Sequence, residues 1–199
     1  MSARGPVVPS LAQLRRQRLG REFYASSASD LARSLLGCIF VRRINGIVRR
    51  ARIVEAEAYL GPKDLASHSS KGRTERTEVM FGPPGHAYVY FIYGMHFMFN
   101  VVSGVECEAH AVLIRAAEPL DGWEAPLTGP GLFARAFEIA RADNGLDLTR
   151  DETFFIRDDR YVPRIVKSKR VGVDYAGRWK DRLLRFIDAK NPVAKKLRW

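Results

Sequence analysis

The chain has 199 residues, of which 46% are hydrophobic, a composition typical of one globular domain and unlike that of a disordered segment. Lysine and arginine number 33 against 22 acidic residues, which leaves a net charge of +11. An excess of this size favours a polyanionic partner, with nucleic acid first and an anionic membrane surface second. A basic protein without such a partner stays open as the alternative.

The distribution of cysteine and apolar residues argues against several other classes. Cys38 and Cys107 stand far apart, which fits neither a disulfide framework nor a zinc site and favours a reducing, cytoplasmic compartment. The basic segment 1–20 lacks the apolar stretch of a secretory signal. Residues 86–105 match a membrane-spanning helix in length. Their tyrosines and β-branched residues instead favour two strands that fold back at Gly94, without a membrane span.

In chain order, residues 1–20 are expected to form a loose basic arm and residues 21–199 a single domain. The stretch SSASDLARSLLGC predicts the first clear helix. Its N-cap is Ser27 or Ser29, and Gly37 ends it in the left-handed conformation.

Two strands joined by a tight turn follow this helix. Asn45-Gly46 predicts the turn, because both central residues of a type I′ turn need positive φ. The second strand runs through RIVEAEAYLG to the Gly61-Pro62 break. Since side chains alternate along a strand, one face is predicted to carry Ile53, Glu55, Glu57 and Tyr59, and the other Val54, Ala56 and Ala58.

Glu55 and Glu57 are the first candidates for chemistry. A glutamate with restricted access to solvent can act as general base on a water molecule, because partial burial raises its pKa. In the alternative, both carboxylates face solvent or pair with Arg52 and Arg115.

A basic loop leads from this strand to the aromatic hairpin YVYFIYGMHFMFN, which is predicted to turn at Gly94. Tyr93 stands at that turn, where a ring can serve as a wedge that enters DNA and unstacks it. Alternatively, Tyr93 packs back on the core or meets another subunit. The predicted phosphate contacts are Lys71, Arg73 and Arg76, with a second basic cluster at Lys167, Lys169 and Arg170; either set can also be only a solvated face.

The remainder predicts a strand from residue 110 to about Arg115 and a helix across residues 128–145. The glycines before that helix are only a weak signal for phosphate binding. The four histidines lack the spacing of a metal site, and no nucleotide-binding glycine pattern is present, so we expect neither metal nor cofactor.

Several segments, taken together and in order, resemble the alkyladenine (3-methyladenine) DNA glycosylase family, of the type known from mammals and also found in bacteria. They are RIVEAEAYLGP, ASHSSKGRT, MFGPPGHAYVYFIYGMHFMFNVV, AVLIRAAEPLDG, LTGPGLFARAF, NGLDL and RVGVDYAG. The resemblance covers roughly residue 30 to the C-terminus. It departs at Glu75, where the family usually has proline, and at His96, where the mammalian members carry tyrosine.

The resemblance implies a role for each matching residue. Glu57 would activate the attacking water, and Arg115 would help to position it. Tyr93, with Met95 beside it, would fill the space that an extruded nucleotide leaves in duplex DNA. The base pocket would consist of Tyr59, His68, Tyr90 and Asn100, with Asn100 excluding the 2-amino group of guanine.

We therefore expect a single α+β domain with a curved, mainly antiparallel sheet, flanking helices and a protruding DNA-intercalating β-hairpin. The expected function is a monofunctional DNA N-glycosylase of base excision repair in a bacterial cytoplasm, binding double-stranded DNA as a monomer. Its substrates would be 3-methyladenine and 7-methylguanine, with hypoxanthine and ethenoadenine as further candidates. No lysine in the motif strand offers a Schiff base, so hydrolysis would leave an abasic site. The alternatives are a non-catalytic lesion-binding protein with the same wedge and a basic RNA-binding module.

Overall fold

The computed structural model describes residues 9–92 and 94–197. The α-helices are α1 (Leu11–Arg15), α2 (Arg21–Tyr24), α3 (Ala28–Ser34) and α4 (Pro130–Ala136). The strands are β1 (Ile39–Ile44), β2 (Ile47–Tyr59), β3 (Ala87–Ile92), β4 (His96–Ser103), β5 (His110–Pro119), β6 (Phe154–Arg157), β7 (Ile165–Ser168) and β8 (Arg185–Asp188). Short 3₁₀ helices occupy Gly61–Lys63, His68–Lys71, Glu78–Phe81, Arg141–Asp143, Asp174–Asp181 and Ala194–Lys196. Within the described ranges no helix is long and apolar enough to cross a membrane.

The strands form one open sheet whose main order is β3-β4-β5-β2-β1-β6. The long strand β2 organises it. Residues 51–59 of β2 pair with β5, while the opposite edge pairs first with β1 and then, at residues 55–57, with β8. β7 extends the sheet by pairing with β8. All these strands belong to one sheet and pair antiparallel. Together with the helices, this confirms the α+β class, the single domain and the mainly antiparallel sheet.

The predicted turns and caps around β1 are confirmed. Ser27 caps α3 by accepting a hydrogen bond from the backbone N–H of Asp30, as serine does at helix N-termini. Gly37 follows α3 with φ +91°. Asn45 and Gly46 have φ of 48° and 81°, so the β1–β2 turn has the positive φ at both central residues that its sequence predicts.

The helix predicted across residues 128–145 is wrong in its length, because α4 ends at Ala136. Glu138 adopts φ +50° and its N–H donates to the carbonyl of Arg135, while the N–H of Ile139 donates to that of Ala134. These two bonds form the Schellman arrangement that ends a helix. The apolar periodicity continues beyond α4 because Ile139 is also buried, although in non-helical backbone.

The main core lies between one face of the sheet and the helices α3 and α4. Phe40 of β1 stands at its centre, with ring centroids 4.6 to 5.1 Å from those of Phe99, Phe133, Phe137 and Phe154. Edge-on aromatic pairs of this kind add about 0.5–1.5 kcal/mol each beyond the burial of their area. The main core therefore occupies one face of the sheet, and two smaller apolar clusters, around Tyr88 and around Ile39, lie on the other face.

The basic arm predicted for residues 1–20 falls partly outside the described residues, which begin at residue 9. Residues 9–20 contain α1, whose Leu14 is buried in a small apolar cluster with Ile39 and Phe155. The boundary between arm and domain stays a prediction.

Candidate active site

The strand that carries EAEAY contains a bulge in its middle. The pairing of β2 with β5 skips Val54 on one strand and Arg115 on the other. Ile53 accordingly packs in the main core with Ala56, so the prediction that Ile53 shares a face with Glu55 is wrong. An extra residue in one strand shifts the alternation by one position, and the side chain of Glu55 is thereby directed away from the core.

Glu57 is fully buried on the face of the sheet opposite the main core. One carboxylate oxygen accepts the backbone N–H of Val171 at 2.8 Å, and the other accepts the hydroxyl of Tyr59 at 2.9 Å. Arg115 lies 3.4 Å from that second oxygen. Burial raises the pKa of Glu57, and Arg115, the Val171 N–H and Tyr59 oppose that rise. This is the environment expected of a carboxylate that takes up a proton during a reaction.

Glu55 is also buried, and it forms ion pairs with two arginines. Its Oε1 accepts from Nε of Arg115 at 2.8 Å and from Nε of Arg185 at 2.5 Å. The sequence left open whether the two glutamates pair with Arg52 and Arg115. Glu55 does pair with Arg115, whereas Arg52 pairs with Asp159. Arg185, which no sequence signal singled out, completes a network that holds the Arg115 guanidinium beside Glu57.

A cavity of about 290 Å³ opens on this face of the sheet. It brings together all four residues predicted for the base pocket, Tyr59, His68, Tyr90 and Asn100, and Arg115 as well. Val171 lines it too. Because Glu57 is bonded to Tyr59, Arg115 and Val171, its carboxylate lies directly behind the cavity wall.

The aromatic side of the cavity is a connected group of three rings. The rings of His68 and Tyr90 meet edge to face with centroids 4.5 Å apart, and His68 Nδ1 shares a hydrogen bond of 2.9 Å with the Tyr88 hydroxyl. Asn100 donates from its amide to the Tyr88 carbonyl oxygen at 3.1 Å. Tyr88 was not among the pocket residues predicted from the sequence. Tyr88 stands two residues before Tyr90 in YVYF, and side chains two positions apart on a strand share a face. This spacing was the signal that could have placed Tyr88 in the pocket.

His68 is predicted to make the stability of the fold depend on pH. Burial, aided by Arg76 and Lys71, lowers its pKa from 6.5 to about 4. Above pH 6.5 the ring is neutral in both folded and unfolded chains. As pH falls from 6.5 to about 4, only the unfolded chain takes up the proton, so stability is lost by about 3 kcal/mol at most.

We therefore expect His68→Gln to flatten the stability profile over this range. Urea denaturation of wild type and variant between pH 4 and 8 measures it, with the difference at pH 8 as the baseline because His68 is neutral there. Parallel profiles down to pH 4 would mean that His68 is readily protonated in the folded protein.

Behind Tyr59 lies a buried ion pair that sequence analysis missed. Arg170 forms two bonds to the Asp64 carboxylate, at 2.5 and 2.9 Å, and both side chains are fully buried. The guanidinium also lies 4.8 Å from the centroid of the Tyr59 ring and donates to the carbonyl oxygen of Ala58. The prediction of Arg170 as a phosphate contact is therefore wrong. Its charge is neutralised inside the protein, immediately before Val171.

The three predicted phosphate contacts of the basic loop have different surroundings. Arg73 forms two hydrogen bonds with Glu78, at 2.8 and 2.5 Å. Arg76 lies over the ring of Tyr90, 5.1 Å from its centroid, at the edge of the cavity. Lys71 is exposed. Arg76 and Lys71 thus present their charge next to the cavity, whereas that of Arg73 is paired.

The aromatic hairpin, here residues 87–103, is formed by β3 and β4 as predicted. Its predicted wedge residue, Tyr93, lies outside the described residues. The neighbouring Gly94 has φ +67°, and Met95 is 68% exposed at the tip. An exposed methionine beside a glycine turn leaves an apolar tip in solvent, which has no role in the core of this chain.

The sequence of the chain matches the model of one known protein family. The family model described as methylpurine-DNA glycosylase (MPG) matches residues 22–192. The chain belongs to the methylpurine-DNA glycosylase family. The resemblance given by the EAEAY and YVYFIYGM segments is thereby confirmed, and this family member is a DNA N-glycosylase, a DNA-binding hydrolase of DNA repair.

Proteins from several microorganisms are similar to this family member. A protein of Anaeromyxobacter sp. (strain Fw109-5) named "Putative 3-methyladenine DNA glycosylase" is 51% identical over 85% of this chain and 88% of its own length. Proteins with the same name from Legionella pneumophila (strain Lens) and Clostridium tetani are 45% and 42% identical, over 90% of this chain and 99% and 100% of their own lengths. The similarity therefore spans nearly the whole glycosylase chain.

Two histidines of this glycosylase lie beside single carboxylates, His86 at 3.9 Å from Asp147 and His110 at 3.6 Å from Glu108. In the part of the chain that the structure describes, no three residues of the His, Cys, Asp and Glu types are grouped so that they could hold a metal ion.

Proposed function

We propose that this DNA N-glycosylase removes 3-methyladenine, 7-methylguanine and related damaged purines from double-stranded DNA by hydrolysis, with Glu57 as the general base. The observation that carries the proposal is the fully buried Glu57, bonded to three residues that line an aromatic cavity. The names of the relatives, 3-methyladenine DNA glycosylase, agree with this substrate class.

The cavity suits an extruded purine. Extrusion costs a few kcal/mol, least for a damaged or mispaired base, and stacking on an aromatic ring returns about 1–3 kcal/mol. Tyr59 and Tyr90 supply electron-rich faces, which attract a purine made cationic by methylation. Since the pKa of His68 is lowered to about 4, the ring is neutral at pH 7 and does not repel that cation.

Hydrolysis then requires a water molecule at C1′ and a group that accepts its proton. Glu57 is the acceptor, and its raised pKa suits that task. Water donates a proton to Glu57 as its oxygen bonds to C1′, and the glycosidic electron pair leaves with the purine. The negative carboxylate also stabilises the positive charge that develops on the sugar. Arg115, held by Glu55, orients the carboxylate and the water.

The product is proposed to be an abasic site without strand cleavage. Cleavage by a bifunctional glycosylase needs an amine that forms a Schiff base with the sugar. The described residues that line the cavity include no lysine. Asn100 is proposed to exclude the 2-amino group of guanine from the pocket floor, and Lys71, Arg73 and Arg76 to contact phosphates. The monomeric state and the cytoplasmic location stay predictions.

Single-turnover incubation with duplexes that carry 7-methylguanine or hypoxanthine tests the proposal. We expect free base and alkali-sensitive sites in the damaged strand alone. Tight binding without release of any base would leave a lesion-binding protein, and equal affinity for single-stranded RNA would favour an RNA-binding module.

Tyr93 is proposed to be the wedge that replaces the extruded nucleotide. We expect Tyr93→Ser to weaken binding to a damaged duplex, because serine cannot fill the space between the flanking base pairs. The melting temperature should stay the same within a few degrees. Gel-shift titration and thermal denaturation measure the two quantities. A larger fall in melting temperature would instead make Tyr93 a core residue.

A further inference from the structure

A groove of about 450 Å³ lies beside the aromatic hairpin and shares Tyr90 with the base cavity. Three separate parts of the chain build it: the basic loop, the two hairpin strands and the segment after α4. Asn144 accepts the N–H of Val89 at 2.9 Å, and Gly145 donates to the carbonyl of Ala87 at 2.8 Å. These bonds fasten the segment with Arg141 to β3, so Arg141 and Arg76 line the same groove.

The positive charges in this groove are not neutralised within the protein. Arg73, in the same loop as Arg76, is paired with Glu78. Arg76 and Arg141, in contrast, form no ion pair with any carboxylate of residues 9–92 and 94–197, and both side chains are exposed. Two exposed guanidinium groups on one groove suit an external anion, and arginine matches phosphate oxygens in geometry.

The floor of the groove is aromatic. Phe91 is 41% exposed, and its ring centroid lies 4.9 Å from that of Phe97 on the facing strand. Rings flanked by cations are the combination with which proteins hold a nucleic-acid strand, since the rings contact sugars and bases while the cations contact phosphates.

We propose that this groove binds the sugar–phosphate backbone of the damaged strand, immediately beside the nucleotide that enters the cavity. The inference rests on the proposed function, because it takes the cavity as the site of the extruded base. Tyr90 forms part of both walls. A strand that places one nucleotide in the cavity therefore continues past Tyr90 into the groove.

Glu75 offers a second test of the proposal, because its charge should affect DNA affinity in the opposite direction. Its exposed carboxylate lines the same groove and forms no ion pair with the described arginines and lysines. Near a bound phosphate it is repulsive, whereas Arg141 is attractive. Neutralising the two residues should therefore change affinity in opposite directions.

The first test measures binding to a duplex with a tetrahydrofuran abasic site, which holds no base to excise, at several salt concentrations. We expect Arg141→Gln to reduce the slope of log Kobs against log salt by about 0.9 and to weaken binding about eightfold at 0.1 M salt. Glu75→Gln should tighten binding. Arg160→Gln, which neutralises an exposed arginine in a different cavity, is the control and should change neither quantity.

The second test identifies the strand, using duplexes in which one uncharged methylphosphonate replaces a phosphate near the abasic site. At one position in the damaged strand, the replacement should weaken binding of the wild type but not of Arg141→Gln. The proposal would be overturned if such a selective effect appeared only for a replacement in the opposite strand. An unchanged salt slope for Arg141→Gln would also overturn it. Excision by the wild type is measured separately, so failure of the groove and failure of the proposed function are distinguishable.

Discussion

Glu57→Gln is expected to lower the single-turnover rate of base excision by about 10²–10⁴-fold, the usual contribution of a general base. Glutamine has nearly the shape of glutamate, and its amide oxygen can still accept the N–H of Val171. It cannot take up the proton of water at neutral pH. The loss should therefore appear in the rate of the chemical step, while affinity for a damaged duplex is retained.

A matched variant separates this effect from a general loss of negative charge. Glu106→Gln removes an exposed carboxylate in the loop between β4 and β5, and it should excise at the wild-type rate. If Glu57→Gln also keeps the wild-type rate while binding is intact, Glu57 is not the base. The carboxylate would then have only a structural role.

The second large effect concerns the ion pair behind Tyr59. Asp64→Asn is expected to lower the free energy of unfolding by about 3–5 kcal/mol, the usual cost of removing one partner of a buried pair. The guanidinium of Arg170 cannot lose its proton, so the variant leaves a positive charge inside the protein. Asparagine also places an N–H₂ group against the donors that Asp64 now satisfies, which include the N–H groups of Leu60 and Ala66.

An exposed ion pair formed by Lys169, the residue before Arg170, supplies the control. Lys169 pairs with Asp181 at 2.6 Å, but both side chains are more than half exposed. Asp181→Asn should therefore leave the stability nearly unchanged, since water screens an exposed pair. Urea denaturation of both variants at pH 7 gives the comparison. Equal small losses would show that water reaches Arg170 and screens its charge.

Features that depend on a few consecutive residues are those that the sequence predicts well. The serine cap of α3, the Asn45-Gly46 turn and the hairpin around Gly94 are confirmed. Each depends on local backbone conformation, which a short segment determines on its own. The helix predicted for residues 128–145 shows the limit of this reasoning, because apolar spacing continued after Glu138 had ended the helix.

By itself, the sequence determined the family and its motif residues, since EAEAY, YVYFIYGM and their order are specific enough to identify it. It also predicted the cavity residues Tyr59, His68, Tyr90 and Asn100, although it missed Tyr88. Only the tertiary structure decided which of them pair. Arg115 and Arg185 meet at Glu55, and Arg170 meets Asp64 from 106 positions away. Charges of this kind are numerous along the chain, and burial selects among them, because a charge inside the protein must be paired while a charge at the surface need not be.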